Sequence, residues 1–152
     1  MIAAGGIADG RGVAAALALG ADGVQIGTAF LACEESNAPP AHREALLGSR
    51  SAHTVLTRAF SGRLARGLRN TLTDALENQS ASFLPYPQQS QLVGALREEA
   101  IRRGRTDLIS LWSGQSKSLL RHRQAKELFE DLVEGTERTL NRQAQGADGY
   151  FA

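Results

Sequence analysis

MIAAGGIADGRGVAAALALGADGVQIGTAF, residues 1–30, is the stretch that decides the fold of this chain. It contains a short apolar run at 1–4 and a second short run, GVQI, at 23–26, each closed by glycine. We predict that both runs are strands and that the first is buried on both faces. Between them, Asp9 is placed to cap a helix over 13–19, which Gly20 ends in a left-handed conformation. A crossover of this length fits a βαβ unit, so the two strands are predicted to be parallel.

The parallel arrangement brings two glycine-rich strand ends side by side. Gly5-Gly6 and Gly27-Thr28 then present backbone N–H groups that no side chain covers, at the start of a predicted helix over 28–33. Each glycine taken singly is more simply explained by a tight turn. Two such pairs at matching strand ends favour a phosphate site, because this arrangement recurs at the last two strands of (β/α)₈ barrels. Neither the P-loop pattern nor GxGxxG is present.

The rest of the sequence predicts helices packed around this unit. We predict helices over 41–47, 71–79, 89–103 and 124–142, a short strand or extended segment over 55–60, an ordered loop over 61–70, and a tail over 146–152. Two of these helices carry apolar stripes: Leu92, Val93, Leu96, Ala100 and Ile101 in the first, and Ala125, Leu128, Phe129, Leu132, Val133 and Leu140 in the second, which we expect to lie against an apolar surface. No linker divides residues 1–145, which we interpret as one domain.

Composition excludes several functional classes. The 152 residues are 42% hydrophobic with a formal net charge of +1, which gives no overall field for nucleic acid or anionic lipid. The single cysteine, Cys33, allows no intrachain disulfide, and no Cys/His pattern predicts a metal, so a reducing, cytoplasmic compartment is expected. Neither a transmembrane helix nor a secretory signal is indicated. The sequence does not indicate an oligomeric state.

A few side chains outside the first thirty residues could carry chemistry. His42, His53 and His122 have no partner pattern for a catalytic triad and are predicted to lie at the surface. Cys33 is predicted to be a small buried apolar residue. The arginines of the 61–70 loop and its flank, Arg58, Arg63, Arg66 and Arg69, could clamp an anion, but we favour a role in tying the loop to carboxylates and carbonyls.

Four segments resemble the C-terminal part of nitronate monooxygenases: AAGGIADGRGVAAALALGADGVQIGTAFL, ESNAPPAHREAL, TRAFSGRLARGLRN and LWSGQ. The resemblance implies an FMN-dependent (β/α)₈ TIM barrel that oxidises alkyl nitronates with dioxygen to a carbonyl compound and nitrite. It further implies that Gly5, Gly6, Gln25, Ile26, Gly27 and Thr28 bind the FMN phosphate and its surroundings. The family's catalytic histidine belongs to a glycine-flanked motif upstream of these strands, and no residue here matches it.

The resemblance also implies that the chain is the C-terminal part of an incomplete barrel. It would supply the last two barrel strands and the helices that follow, whereas a closed barrel needs about 200 residues or more. We therefore expect the isolated chain to be inactive and poorly stable. Two alternatives stay open: a flavin-dependent enoyl-acyl carrier protein reductase, whose glycine signature is nearly the same, and an inactive module that binds a phosphate-bearing ligand or a partner chain.

Overall fold

A computed structural model describes residues 1–48, 53–77, 79 and 82–147 and shows an α/β protein. The chain divides into two compact units. The first comprises Met1–Pro39 and Gln115–Ala152, and the second comprises Pro40–Gly114. Within the described ranges, no helix combines the length and the hydropathy needed to cross a membrane.

The first unit begins with the predicted strand–helix–strand motif. Strand β1 (Ile2–Ala4), helix α1 (Gly10–Ala18) and strand β2 (Gly23–Gln25) follow in order, and the two strands pair in parallel. The Asp9 carboxylate caps α1 by accepting a hydrogen bond from the Gly12 N–H at 3.1 Å. Gly20 has a φ of +93°, the left-handed conformation predicted for the residue that ends this helix. The βαβ prediction is therefore confirmed.

The prediction that β1 is buried on both faces is wrong. β1 and β2 form a two-stranded sheet, and the Ile2 side chain is 61% exposed. A strand is buried on both faces only inside a wider sheet with a layer on each side. Here each strand has one strand neighbour among the described residues, so the apolar run of β1 remains open to solvent.

Two more helices complete the first unit: α2 (Thr28–Leu31) and α6 (Ala125–Ala147). The core contains five buried residues, which come from the loop before α1, from α2 and its end, and from α6: Ala8, Ala29, Cys33, Leu128 and Leu132. The burial predicted for the α6 stripe is right for Leu128 and Leu132 and wrong for Phe129 and Val133, which are 60% and 42% exposed. α6 continues past its predicted end at 142, and residues 148–152 of the predicted tail lie outside the described residues.

The second unit contains α3 (Pro40–Leu47), β3 (Thr54–Thr57), β4 (Ala65–Leu68), α4 (Thr71–Leu76) and α5 (Gln88–Arg102). The loop predicted over 61–70 is wrong in part, because β4 pairs antiparallel with β3. The other edge of β4 binds a later segment, since the Leu68 N–H donates to the Leu111 carbonyl at 2.8 Å. Gly67 permits this approach, because a Cβ there would lie 2.9 Å from the same oxygen. β4 is therefore a strand because both of its edges are hydrogen-bonded, although its side chains are not typical of strands.

The two helices that follow β4 begin and end near their predicted positions. α4 is capped by Asn70, in a reciprocal capping box with Thr73, and the predicted extension to 79 includes Asn78, which lies outside the described residues. The predicted apolar stripe of α5 is buried at Ala100, whereas Leu92 and Ile101 are 65% and 55% exposed.

Candidate functional site

The parallel register places the two glycine-rich strand ends next to each other. Ala3 pairs with Val24 and Ala4 with Gln25, so Gly5-Gly6 and Ile26-Gly27 leave the sheet at the same edge. This is the juxtaposition that the sequence predicts. The edge is the carboxyl end of both strands, where open α/β structures bind ligands.

The Gly5-Gly6 turn requires glycine. The φ angles of Gly5 and Gly6 are +96° and +72°, a region that residues with a side chain rarely adopt. A Cβ built at Gly5 or at Gly27 would have no atom within 4 Å, so open space adjoins both strand ends. The turns therefore leave backbone amides beside a volume that a small anion could fill.

Helix α2 begins at this edge. Gly27 is its N-cap residue and makes no side-chain capping bond. The first amides of a helix have no intrahelical acceptor, so the first turn of α2 adds N–H donors to those of the glycine turn. Because α2 contains only 4 residues, we attribute its contribution to these donors rather than to a macrodipole.

The remaining predicted residues, Gln25 and Ile26, differ in how they can reach a ligand. Gln25 is exposed at the end of β2, so its amide side chain is accessible. Ile26 is half-buried and packs against the core of the first unit. Its side chain therefore serves packing, and only its backbone can contribute to a ligand site.

Ser116, which sequence reasoning missed, lies at the glycine turn, and Lys117 follows it in the chain. The Ser116 hydroxyl donates a hydrogen bond to the Gly6 carbonyl, from a short 3₁₀ segment over Gln115–Leu119. Because C=O and N–H point in opposite directions across a trans peptide, this bond orients the following N–H, that of Ile7, away from Ser116. The neighbouring Lys117 is buried, and burial lowers the pKa of its ammonium group. A contact across 110 residues leaves no local sequence signal.

The prediction that all three histidines lie at the surface is wrong for His42. His53 is exposed, but His42 is 7% exposed, and its Nε2 lies 3.0 Å from the Trp112 carbonyl. Burial lowers the pKa of His42, so the imidazole is neutral and serves the packing of the second unit. His122 is half-buried, with its Nε2 3.2 Å from an Asp131 carboxylate oxygen. No His, Cys, Asp and Glu cluster suited to a metal occurs in the described part of the chain.

The arginines near the β3–β4 hairpin have the structural role that we favoured. Arg58 donates to the Gly62 carbonyl at 3.1 Å, Arg69 donates to an Asp74 carboxylate at 2.7 Å, and Arg66 donates to the Thr54 hydroxyl at 3.0 Å. Arg63 lies over the Tyr86 ring. These contacts use the guanidinium groups within the second unit and do not favour an anion clamp.

The prediction for Cys33 is confirmed, since its side chain is fully buried. Burial raises the pKa of the Cys33 thiol, which opposes formation of a nucleophilic thiolate.

Comparisons with known proteins point to one family. The family model described as "Nitronate monooxygenase" matches residues 1–135. The chain is 43% identical over 133 residues to a "Probable nitronate monooxygenase" of Staphylococcus aureus (strain Newman), which covers 88% of this chain and 38% of the relative. A relative with the same description from Staphylococcus saprophyticus is 42% identical over 142 residues, covering 93% of this chain and 40% of the relative.

Two solved structures share the fold. The nitroalkane oxidase of Streptomyces ansochromogenes is similar with a TM-score of 0.87 and 40% identity, over 93% of this chain and 40% of that one. FabK of Thermotoga maritima is similar with a TM-score of 0.74 and 34% identity, over 95% of this chain and 46% of that one. The chain thus spans less than half the length of each relative named here.

Proposed function

The chain belongs to the nitronate monooxygenase family, and we propose that its glycine turns form the FMN phosphate site of a flavoenzyme that oxidises alkyl nitronates with dioxygen. The products would be a carbonyl compound and nitrite. The observation that carries the proposal is the parallel register of β1 and β2, which sets Gly5-Gly6 beside Gly27 at one sheet edge. Family membership supports the oxidation of nitro compounds, and the position of the turns supports the phosphate site.

The residues present fit a phosphate. Open space adjoins Gly5 and Gly27, because a Cβ at either position would meet no atom within 4 Å. Backbone amides that face such a volume bind anions without a side chain or a fixed charge. The FMN phosphate, a dianion near neutral pH, is well suited to a ring of donors of this kind.

Each residue of the site has a separate role in this proposal. Gly5 and Gly6 supply a turn whose amides approach the phosphate closely. Gly27 and Thr28 supply donors from the start of α2, and Gln25 reaches the ligand with its exposed side chain. Ile26 contributes backbone only.

When bound, FMN would supply the redox chemistry, taking electrons from the substrate and passing them to dioxygen. The residues of this chain would hold its phosphate end and fix its position. We assign no catalytic residue here, because no residue matches the family's glycine-flanked histidine. We therefore expect these 152 residues alone to bind FMN but to turn over no nitronate.

A comparison of FMN with riboflavin tests the proposal, because the two differ only by the phosphate. We expect FMN to raise the melting temperature of the chain and riboflavin to have little effect. Gly27→Ala should weaken FMN binding about tenfold by filling the open space. Gly94→Ala is the matched control, since its Cβ also meets nothing within 4 Å but lies in α5 of the second unit. Equal stabilisation by both flavins, or by neither, would refute the phosphate site.

A second candidate is a flavin-dependent enoyl-acyl carrier protein reductase. It stays open because the fold is also similar to FabK, although with a lower TM-score than to the nitroalkane oxidase, 0.74 against 0.87. This candidate would use a reduced nicotinamide as electron source. A full-length relative that contains this segment should be assayed with both a nitronate and a reduced nicotinamide. Turnover of the nitronate without nicotinamide is the expected result.

The third candidate is an inactive module that binds another phosphate-bearing ligand or a partner chain. A partner-binding module would not respond to FMN, so the same melting experiment separates it from the main proposal.

A further inference from the structure

An open groove lies in the first unit beside the N-terminal end of α1. It has a volume of about 560 Å³ and is bounded on its other side by α6 and the segment before it. The residues that line it are Asp9, Gly10, Arg11, Arg121, Asp131, Gly135, Arg138, Thr139 and Arg142. We call it the arginine groove, because four of these residues are arginines.

A close helix crossing forms the floor of the groove. A Cβ built at Gly10 would lie 2.3 Å from the Gly135 carbonyl carbon, so the backbones of α1 and α6 are in direct contact there. The Thr136 hydroxyl also donates to the Gly10 carbonyl at 3.4 Å. No side chain separates the two helices at this point. Arginines from α1, from α6 and from the segment before α6 therefore line the same groove.

Two of the four arginines are already neutralised. Arg11 donates to the Asp9 carboxylate at 2.6 Å. Arg138 lies 3.7 Å from a carboxylate oxygen of Asp131 and 3.8 Å from one of Glu134. Asp131 is shared, because it also contacts His122.

The other two arginines have no such partner. Among the described residues, the side chains of Arg121 and Arg142 make no hydrogen bond or ion pair, although both line the groove. The first turn of α1 adds no acidic residue. The groove therefore carries two positive charges without counterions from the described chain, and both line the same concave volume.

We propose that the arginine groove binds a phosphate-bearing anion of small size. Guanidinium groups bind phosphate oxygens with paired, charge-assisted hydrogen bonds, so two unpaired arginines suit a di-anion or a diphosphate. Among the described residues that line the groove, none is aromatic, and we assign to the groove only the phosphate groups of a ligand. This site differs from the glycine turns in its chemistry, since arginine side chains replace backbone amides, and it does not depend on the proposed FMN site.

Titration of the 152-residue chain with inorganic pyrophosphate at low, constant ionic strength tests this assignment. Replacing both unpaired residues, Arg121→Gln with Arg142→Gln, should weaken binding about tenfold or more. The control removes the same charge elsewhere, with Arg102→Gln at the last residue of α5 and Arg103→Gln directly after it, whose side chains are 75% and 73% exposed. The control should bind within about twofold of the parent chain.

A third variant gives a result that loss of folding cannot imitate. Asp131→Asn removes a carboxylate that competes for the groove arginines and should tighten pyrophosphate binding. The proposal is overturned if the parent chain does not bind pyrophosphate, or if both double variants weaken pyrophosphate binding equally.

Discussion

The crossing of α1 and α6 yields a prediction that contrasts two glycines in direct contact. A Cβ at Gly10 would lie 2.3 Å from the Gly135 carbonyl carbon and 2.3 Å from the Thr136 amide nitrogen. Both are backbone atoms and cannot rotate away. A Cβ at Gly135 would lie 3.4 Å from the Gly10 Cα, which is ordinary van der Waals contact. Gly10→Ala should therefore separate the helices, whereas Gly135→Ala should fit.

The magnitudes follow from these distances. Overpacking of a tight contact lowers the free energy of unfolding by about 1–3 kcal/mol. We expect Gly10→Ala at the upper end of this range, because the new Cβ would clash with backbone atoms. Alanine in a helix interior is favoured over glycine by about 0.5–1 kcal/mol, so Gly135→Ala should stabilise. For a chain of this size 1 kcal/mol shifts the melting temperature by about 2–4 °C. The expected changes are a fall of about 6–12 °C for Gly10→Ala and a rise of about 1–4 °C for Gly135→Ala.

Thermal unfolding followed by circular dichroism at 222 nm measures both variants, because α1 and α6 contribute much of the helical signal. Hydrogen exchange of the α6 amides around Gly135 provides a local check, since separation of the helices should raise exchange there first. A Gly10→Ala variant as stable as the parent chain would refute the close crossing. Equal destabilisation by both substitutions would refute the asymmetry of the contact.

Three further predictions concern single residues. Gly67→Ala should destabilise by about 1–3 kcal/mol in urea unfolding, because its Cβ would lie 2.9 Å from a backbone oxygen, whereas Gly94→Ala in open space should not. Gln89→Leu should cost about 1–3 kcal/mol, because its buried amide donates to a backbone carbonyl at 2.7 Å; a neutral result would contradict that bond. Burial opposes the charge of Asp9, but hydrogen bonds from Arg11 and from the Gly12 N–H lower the pKa of Asp9 below 3.8. The charge of Asp9 therefore stabilises the fold above about pH 3.8, the ordinary pKa of the group. This stabilisation is lost as the pH falls through the lowered pKa of Asp9 in the folded chain. The stability difference between the parent chain and Asp9→Asn should accordingly vanish in acid, and a difference that persists there would contradict this assignment.

The βαβ motif was predictable because each of its signals is local. Asp9 precedes its helix, Gly20 follows it, and the length of the crossover fixes the parallel pairing of the strands. Strand β4 was not predictable from its own residues, since it depends on backbone bonds to β3 and to Leu111, more than forty positions later. Burial of the α6 stripe was mispredicted at Phe129 and Val133, because a stripe shows which face is apolar and not whether a neighbour covers it.

In the candidate site, too, the features with local sequence signals were predictable and those that depend on distant contacts were not. The sequence alone places Gly5-Gly6 beside Gly27, and the structure confirms that geometry. Ser116 and the arginine groove escaped prediction, because their contacts join the first residues of the chain to its last third. The spacing of residues along the chain gives no indication of such contacts.

The central claim, that the glycine turns bind the FMN phosphate, is tested most directly by amide NMR. In a ¹⁵N-labelled chain, addition of FMN should shift the amide resonances of Gly6, Gly27 and Thr28, whose N–H groups adjoin the proposed phosphate. Riboflavin at the same concentration should leave these resonances unmoved. Equal shifts with both flavins, or FMN shifts confined to Arg121 and Arg142, would contradict the claim.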